Sequence, residues 1–249
     1  MKQIGPVWPY PRWVAHRGAG KLAPENTLAA FKLGAQHGYQ MFECDAKLSA
    51  DGHVFLLHDA TLERTTHASG LGSAFTWAEL AKLDAGSWHS SAYAAEPLCS
   101  LDTLAAWCLA NSYFLNIEIK PTPGDETRTG TVVAREAAHL WQNAAVPPLL
   151  TSFQAAALAA AQAEAPHLPR GLLLNDLRDD WLDLARDLGC VAIVCRHSLW
   201  DAHTVQAAKQ AGLKLLSYTV NEAQDVQRLL ALGTDGIITD RVDLFTPEL

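Results

Sequence analysis

Two of the ten histidines in this 249-residue chain sit directly after short apolar stretches and among other polar groups. His16 follows Trp13–Ala15, and His58 follows Val54–Leu57. Imidazole titrates near neutral pH, so a pair of histidines can act as general base and general acid in one reaction cycle. A lone histidine at a strand end is more often structural, so a catalytic role for His16 and His58 depends on their neighbours.

Three carboxylates are candidates for a metal site beside these histidines. Glu43 and Asp45 are separated by one residue in a predicted strand, so both side chains point to the same side of it. Glu118 lies in another predicted strand. Three carboxylates in one site repel one another unless a cation neutralises them, and Mg²⁺ or Ca²⁺ suits oxygen ligands. The residues alone leave open the alternative that each carboxylate pairs with a nearby lysine or arginine.

Two basic side chains accompany the same groups. Arg17 follows His16 directly, and Lys120 ends the strand that carries Glu118. Guanidinium offers a bidentate fork for phosphate oxygens, and an ammonium group offers a point charge. Cleavage of a phosphodiester needs a proton acceptor, a proton donor and positive charge near the phosphoryl oxygens. These residue types therefore match phosphodiester chemistry.

Short apolar strands alternate with amphipathic helical stretches along the chain, which favours βαβ units and a parallel sheet. Strands are predicted at Trp13–Ala15, Tyr39–Asp45, Tyr113–Ile119, Leu149–Ser152, Gly171–Leu174, Val191–Val194, Lys214–Tyr218 and Gly236–Ile238. Helices are predicted from after Glu25 to about His37, and at Leu101–Ala110, Thr129–Gln142, Gln154–Ala163, Trp181–Leu188, Ala202–Ala211 and Glu222–Leu232.

About eight strands favour an α/β fold of the (β/α)₈ TIM-barrel type, with an open doubly wound sheet as the alternative. The extended segment Val54–His58 is counted with an irregular stretch over about 60–100, which has one short helix near Trp77–Leu83 and departs from the regular pattern. We expect one domain over residues 1–249. In such a barrel the active site lies at the carboxyl ends of the strands. The histidines, carboxylates and basic residues above all fall there.

The bulk composition narrows the classes of partner. Hydrophobic residues make up 49% of the chain, which is enough for a substantial buried core. The formal net charge is −8 and no run of Lys or Arg is present, which argues against binding of nucleic acid. We see no apolar run long enough for membrane insertion and no signal peptide, so the cytoplasm is the expected compartment. The five cysteines include no CxxC pair, which indicates reduced core residues. Assembly as a homodimer is left open.

The chain resembles the glycerophosphodiester phosphodiesterase family, of the cytoplasmic bacterial type, in a series of blocks that keep the family's order and approximate spacing. The blocks are His16–Gly20 with Ala23–Phe31, Phe42–Asp45 with Asp51–Gly52, His58–Thr66, Asn116–Lys120, and Tyr218–Asn221 with Gly233–Asp240. The resemblance implies a TIM barrel with a small insertion after the second strand. It also implies hydrolysis of sn-glycero-3-phosphodiesters to sn-glycerol 3-phosphate and an alcohol.

The resemblance further implies a role for each candidate. The family's catalytic histidines match His16 and His58. Its ligands for one divalent cation match Glu43, Asp45 and Glu118, and its phosphate-side basic residues match Arg17 and Lys120. Tyr218 stands where many relatives carry tryptophan, in the wall that is expected to pack against glycerol.

Other activities on this scaffold remain as alternatives. A lysophospholipase D or a phospholipase C-like phosphodiesterase would need an exposed apolar lip or a basic membrane-facing surface. The absence of a basic cluster favours small water-soluble diesters. A non-catalytic ligand-binding barrel would be expected to lack one histidine or one carboxylate. A zinc hydrolase would need several histidines at the metal.

Overall fold

The computed structural model of the chain describes residues 8–247. These residues contain nine strands: β1 Trp13–Ala15, β2 Met41–Leu48, β3 Val54–Leu56, β4 Phe114–Ile119, β5 Leu149–Ser152, β6 Arg170–Leu174, β7 Ala192–Arg196, β8 Lys214–Tyr218 and β9 Gly236–Thr239. All except β3 are parallel to their neighbours, and β1 pairs with both β2 and β9. The parallel strands therefore close into an eight-stranded barrel, which confirms the predicted TIM-barrel class.

Seven helices connect consecutive barrel strands, and one short helix, α2, lies in the insertion. In chain order the helices are α1 Leu28–Gln36, α2 Trp77–Leu80, α3 Leu101–Asn111, α4 Glu126–Leu140, α5 Ala155–Glu164, α6 Trp181–Asp187, α7 Ala202–Gln210 and α8 Ala223–Leu232. Helix α1 begins later than the sequence predicts, because Asn26 has a positive φ of 60° that no helix allows. Thr27 instead caps the helix by accepting a hydrogen bond from the Ala30 amide.

After β9, residues up to 247 form a turn rather than an eighth surrounding helix. The amides of Leu244 and Phe245 both donate to the Arg241 carbonyl. The Phe245 ring then stacks on Trp13 of β1, with centroids 5.5 Å apart. The Tyr39 hydroxyl donates to the Phe245 carbonyl. This turn covers the outer side of the barrel next to the strand where it closes.

The side chains of β2 alternate between the helical layer and the barrel interior, as a strand requires. Phe42 and Cys44 are fully buried in the core between the barrel and helices α1 and α3. Met41 belongs to the apolar cluster inside the barrel. Glu43 and Asp45 follow Met41 on the inward face. The barrel interior thus changes from apolar to acidic towards the carboxyl ends of the strands.

The second strand extends past its predicted end at Asp45. Residues Ala46–Leu48 pair antiparallel with Val54–Leu56, so β2 and β3 form a hairpin that rises beyond the barrel. The segment Val54–His58 is therefore part of the insertion, as predicted, and not a barrel strand. The insertion has its own small apolar cluster around Phe55, which includes Leu62 and Leu80.

All five cysteines are free and buried, which confirms that they are core residues. Within residues 8–247 we find no helix with the length and apolar character needed to cross a bilayer.

Candidate active site

A cavity of about 470 Å³ opens at the carboxyl ends of the barrel strands. Seven of the eight residues predicted for the site line it: His16, Arg17, Glu43, His58, Glu118, Lys120 and Tyr218. The eighth, Asp45, is fully buried and contacts both Arg17 and Lys120. The fold therefore brings all eight side chains into one region.

The three predicted metal ligands form a compact group. Asp45 pairs with Glu118 in the register of β2 against β4, which places the two side chains on neighbouring strands. One carboxylate oxygen from each of Glu43, Asp45 and Glu118 lies within 4.8 Å of the others. That spread is about twice a typical Ca²⁺–oxygen distance, so one cation can lie among all three.

Basic side chains also touch these carboxylates, so the alternative of ion pairing is realised as well. Lys120 Nζ lies 2.9 Å from Glu118 Oε1 and 3.3 Å from Asp45 Oδ1. Arg17 Nε lies 3.1 Å from Asp45 Oδ2. Lys47 instead donates to the Lys120 carbonyl at 2.9 Å. Two basic groups thus face three carboxylates, which leaves the cluster short of positive charge.

The pKa values of the carboxylates reflect this imbalance. Burial, together with the neighbouring charges of Asp45 and Glu118, raises the pKa of Glu43 well above its usual range. Burial and Asp45 raise the pKa of Glu118 to about 7. Burial also opposes ionisation of Asp45, but Arg17 and Lys120 outweigh it and hold the Asp45 pKa below its usual value. Without a further cation, the cluster therefore tends to retain protons.

Two buried oxygens in the cluster test whether a metal ion fits there. Both Glu43 Oε1 and Asp45 Oδ1 are inaccessible to solvent. Among the described residues, Glu43 Oε1 has no hydrogen-bond donor, and Asp45 Oδ1 faces the Lys120 ammonium at 3.3 Å without forming a hydrogen bond. A buried acceptor without a partner costs free energy, and a bound cation would remove that cost. All three side chains offer hard oxygen ligands, which Mg²⁺ and Ca²⁺ prefer. The residues therefore fit a divalent cation of this type.

Each predicted catalytic histidine is held by a carboxylate on the same ring atom. His16 Nδ1 lies 2.7 Å from Asp240 Oδ1, and His58 Nδ1 lies 2.8 Å from Asp59 Oδ1. A carboxylate only accepts hydrogen bonds, so Nδ1 carries the proton in both rings. In a neutral ring, Nε2 then keeps its lone pair.

The two histidines differ in their electrostatic surroundings. Nε2 of His16 lies 3.8 Å from Glu43 Oε2, next to the carboxylate cluster. The pKa of His58 is lowered, because burial and the charges of Arg17 and Lys120 disfavour the imidazolium and outweigh the opposing charge of Asp45. These surroundings favour the neutral imidazole of His58.

The loop between β1 and α1 carries His16 and Arg17 and reaches over the carboxylates. Arg17 has a positive φ of 51°, and its amide donates to Glu43 Oε2 at 3.1 Å. Asn26 Nδ2 donates to Asp45 Oδ2 at 2.8 Å, and Asn26 Oδ1 accepts from the Asp45 amide. Two residues in the left-handed region are costly unless their surroundings fix them, and these contacts do so.

Tyr218 and Phe153 form an aromatic wall of the cavity. The rings meet edge to face, with centroids 5.7 Å apart, and Lys120 Nζ lies 5.8 Å from the Phe153 centroid. The Tyr218 hydroxyl lies 2.9 Å from the Leu174 carbonyl and 2.8 Å from Asn175 Oδ1. Because these contacts at the end of β6 engage the hydroxyl, the ring is the part of Tyr218 left to contact a ligand.

Sequence reasoning assigned no role to four residues that hold the site together, although all of them lie within the blocks that carry the resemblance: Asp59, Arg64, Asn221 and Asp240. Asp59 follows His58 directly and Asp240 follows the last barrel strand, so both positions carried a weak signal. Asn221 Nδ2 donates to Asp240 Oδ2 at 2.9 Å, a contact that only the closed barrel reveals.

Comparisons with known proteins point to one family. Residues 16–244 match the model of the glycerophosphoryl diester phosphodiesterase family. A glycerophosphodiester phosphodiesterase of Caldanaerobacter subterraneus is 33% identical over 232 residues, covering 91% of this chain and 93% of that protein.

Two solved structures are similar over nearly their whole length. A phosphodiesterase of Oleispira antarctica, in complex with the product sn-glycerol-3-phosphate, superposes with a TM-score of 0.87 at 33% identity and 93% coverage of both chains. A glycerophosphodiester phosphodiesterase from Agrobacterium tumefaciens gives a TM-score of 0.79 at 28% identity, covering 95% of this chain and 99% of that chain.

Proposed function

This chain belongs to the glycerophosphoryl diester phosphodiesterase family, and we propose that it hydrolyses sn-glycero-3-phosphodiesters to sn-glycerol 3-phosphate and an alcohol in a metal-dependent reaction. The observation that carries the proposal is the pair His16 and His58, which line one cavity beside the cluster of three carboxylates and are each held by a carboxylate through Nδ1. The Oleispira antarctica relative, solved with sn-glycerol-3-phosphate as its product, supports the choice of substrate class.

Proton transfer is the task of the two imidazoles. With Nδ1 bound to a carboxylate, Nε2 of each ring is the atom that can exchange a proton with the substrate. One ring accepts the proton of the attacking hydroxyl, of water or of the glycerol itself, as the oxygen of that hydroxyl bonds to phosphorus; a cyclic phosphate formed by the glycerol hydroxyl is then opened by water. The other, as imidazolium, donates its proton to the oxygen of the departing alcohol as the bond from that oxygen to phosphorus breaks. Asp240 and Asp59 stabilise the charged form of whichever ring holds the extra proton.

Glu43, Asp45 and Glu118 would hold one divalent cation, Mg²⁺ or Ca²⁺. When bound, the cation supplies positive charge that stabilises the phosphoryl oxygens as negative charge develops on them. The buried Glu43 Oε1, which has no donor among the described residues, and the raised pKa of Glu118 support this assignment.

Arg17 and Lys120 are the proposed phosphate-binding residues. Their side chains are 17% and 21% exposed and both line the cavity. The Arg17 guanidinium can present two N–H groups to phosphate oxygens, whereas the Lys120 ammonium acts as a point charge. Burial of both groups in a recessed cavity strengthens their interaction with an anion.

The rest of the cavity favours a small diester. The ring of Tyr218, beside Phe153, offers an apolar wall for the carbon skeleton of glycerol.

Five free, buried cysteines support the proposed cytoplasmic location, where thiols stay reduced.

The proposal is tested by replacing each histidine and measuring release of glycerol 3-phosphate from glycerophosphocholine. His16→Ala and His58→Ala should each lower kcat by about 10²-fold or more, because each removes a proton-transfer group. His139→Ala is the matched control, since His139 is exposed on α4. Full activity in either active-site variant would remove the proposed role of that histidine.

A further inference from the structure

The guanidinium group of Arg64 joins two carboxylates beside the active site. Its Nε donates to Asp59 Oδ2 at 2.7 Å, and its Nη2 donates to Asp59 Oδ1 at 3.2 Å. Its Nη1 and Nη2 donate to Glu25 Oε2 and Oε1, both at 2.8 Å. Both contacts are bidentate, which fixes direction as well as distance. Arg64 is therefore held in one orientation, although its side chain is 43% exposed.

Each of these carboxylates has a second partner in the active site. Asp59 Oδ1 lies 2.8 Å from His58 Nδ1, and Glu25 Oε1 accepts from Arg17 Nη1 at 3.0 Å. A continuous series of contacts thus runs from the imidazole of His58 through Arg64 to the guanidinium of Arg17. Arg64 and Glu25 are 39 positions apart, so this series ties the insertion to the loop between β1 and α1.

The insertion makes two other polar contacts with the same part of the chain. His89 Nε2 lies 3.0 Å from the Lys21 carbonyl, and Glu96 Oε1 accepts from the Ala29 amide at 3.0 Å. Both contacts end on backbone atoms, and neither involves His16 or His58. The contacts of Arg64 differ from these two because, through Asp59 and Glu25, they lead to the side chains of His58 and Arg17.

We propose that Arg64 is a positioning residue that fixes His58 and Arg17 relative to each other. Through Asp59 it orients the imidazole that exchanges protons, and through Glu25 it orients the guanidinium that binds phosphate. This inference rests on the reaction proposed above. Its consequence is that proton transfer and phosphate binding depend on one residue outside the cavity lining.

Direct binding of the substrate by Arg64 is the competing role. A guanidinium group has five N–H donors, and four contacts from Arg64 already point at Asp59 and Glu25. Arg64 is also absent from the residues that line the cavity. To bind phosphate with a fork, Arg64 would have to release one of its two bidentate partners.

The test compares kcat and KM for glycerophosphocholine in wild type, Arg64→Ala and Arg64→Lys. Arg64→Ala should lower kcat by about tenfold to a hundredfold, the range found for groups that orient ligands of a reactive centre, and should raise KM as well. Lysine keeps the charge but cannot form two bidentate pairs, so Arg64→Lys should restore only part of either loss. Arg135→Ala is the matched control, because Arg135 forms a bidentate pair with Glu164 between α4 and α5.

Single substitutions at the two carboxylates separate the effect of Arg64 on His58 from its effect on Arg17. Asp59→Asn should act mainly on kcat, and Glu25→Gln mainly on KM. When Arg64 is already alanine, or lysine if the alanine variant does not fold, each of these substitutions should cost several-fold less than in wild type. Additive losses, a change in KM alone, full rescue by lysine, or losses no larger than in Arg135→Ala would each overturn the inference.

A readout that does not need turnover separates this inference from the proposed function. The ¹⁵N resonances of the His58 ring report the proton on Nδ1, and they should shift in Arg64→Ala but not in Arg135→Ala. If wild type cleaves no glycerophosphodiester while these resonances still shift, the proposed function fails and the positioning role of Arg64 stands. If wild type is active and the resonances do not move, only the role of Arg64 fails.

Discussion

His16 Nδ1 and Asp240 Oδ1 lie 2.7 Å apart, although 224 positions separate the two residues in the chain. They follow β1 and β9, the first and last strands of the barrel, and the His16 amide also donates to the Thr239 carbonyl at 3.0 Å. The contact that orients one proposed catalytic histidine is thus built by closure of the barrel. We call the junction of β1 and β9 the seam of the barrel. Substitutions that destabilise this seam should therefore also lower activity.

Replacing Asp240 with asparagine should lower kcat strongly without preventing folding. An amide can donate to Nδ1, which would favour the imidazole tautomer with its proton on Nε2, so that Nε2 of His16 could no longer accept a proton. We expect a fall of at least about tenfold, measured as initial rates of glycerol 3-phosphate release. Asp243→Asn is the control, since within residues 8–247 the Asp243 carboxylate pairs only with the exposed Arg241. Equal kcat values in the two variants would mean that the His16–Asp240 contact is not needed.

A methyl group at Gly20 should disturb the same seam. A Cβ there would lie 2.2 Å from the carbonyl oxygen of Asp240 and 2.3 Å from its Cα, and the φ of Gly20 is +57°. Gly20→Ala should therefore displace Asp240, lower the melting temperature and lower kcat. Gly38→Ala is the matched control, because Gly38 also has a positive φ (+87°), but apart from its chain neighbours no described residue has an atom within 4 Å of the added Cβ.

The control isolates the backbone strain from the steric clash. Gly38→Ala should cost only the left-handed backbone penalty of about 1–2 kcal/mol and leave kcat unchanged. If Gly20→Ala is no less stable than Gly38→Ala and equally active, the close approach to Asp240 has no functional weight.

The metal-free protein should lose stability as pH rises through the range in which Glu118 ionises. The pKa of Glu118 is raised from 4.5 to about 7, so between these values the folded state binds more protons than the unfolded state. By linkage, the free energy of unfolding then falls as pH increases. The penalty is absent below about pH 4.5 and complete above about pH 7.

Glu118→Gln removes this titration and provides the comparison. In EDTA, the melting temperature of Glu118→Gln should rise relative to wild type between pH 5 and pH 8. Glu164→Gln, on the surface pair with Arg135, should follow wild type. A constant difference between Glu118→Gln and wild type over this range would contradict the raised pKa of Glu118.

Calcium or magnesium should stabilise the protein through the same carboxylates. At about 100 times Kd, a ligand that binds only the folded state adds about 2.7 kcal/mol, which for a chain of this size raises the melting temperature by roughly 5–10 °C. The shift should be larger at pH 8 than at pH 6, because Glu118 must ionise to bind a cation. Glu43→Gln should remove most of the shift and Glu164→Gln none. Equal shifts in both variants would place the ion elsewhere.

Much of the fold could be predicted because the strands have a regular apolar pattern. The bounds of β1, β5 and β8 agree with the sequence prediction, and the three carboxylates fall on inward positions of β2 and β4 as period-two spacing requires. The predicted end of β2 at Asp45 was wrong. The last residues of this strand pair with β3 outside the barrel, and the sequence pattern of β2 alone does not record that pairing.

The contacts of the site were harder to predict than its members. Residue type and position at a strand end indicated His16 and His58, but their partners come from closure of the barrel and from the insertion. The bonds of Arg64 to Glu25, like that of Asp240 to His16, join segments far apart in the chain. Such pairings depend on how loops approach one another, which residue patterns along one segment do not record.

The most direct test of the central claim is the release of glycerol 3-phosphate from glycerophosphocholine before and after removal of divalent cations. We predict release by the purified protein, its loss in EDTA, and its recovery when Mg²⁺ or Ca²⁺ is restored in excess. Glu43→Gln should show no such recovery. Release that persists unchanged in EDTA would contradict metal dependence, and no release from any glycerophosphodiester with either ion present would contradict the proposed function.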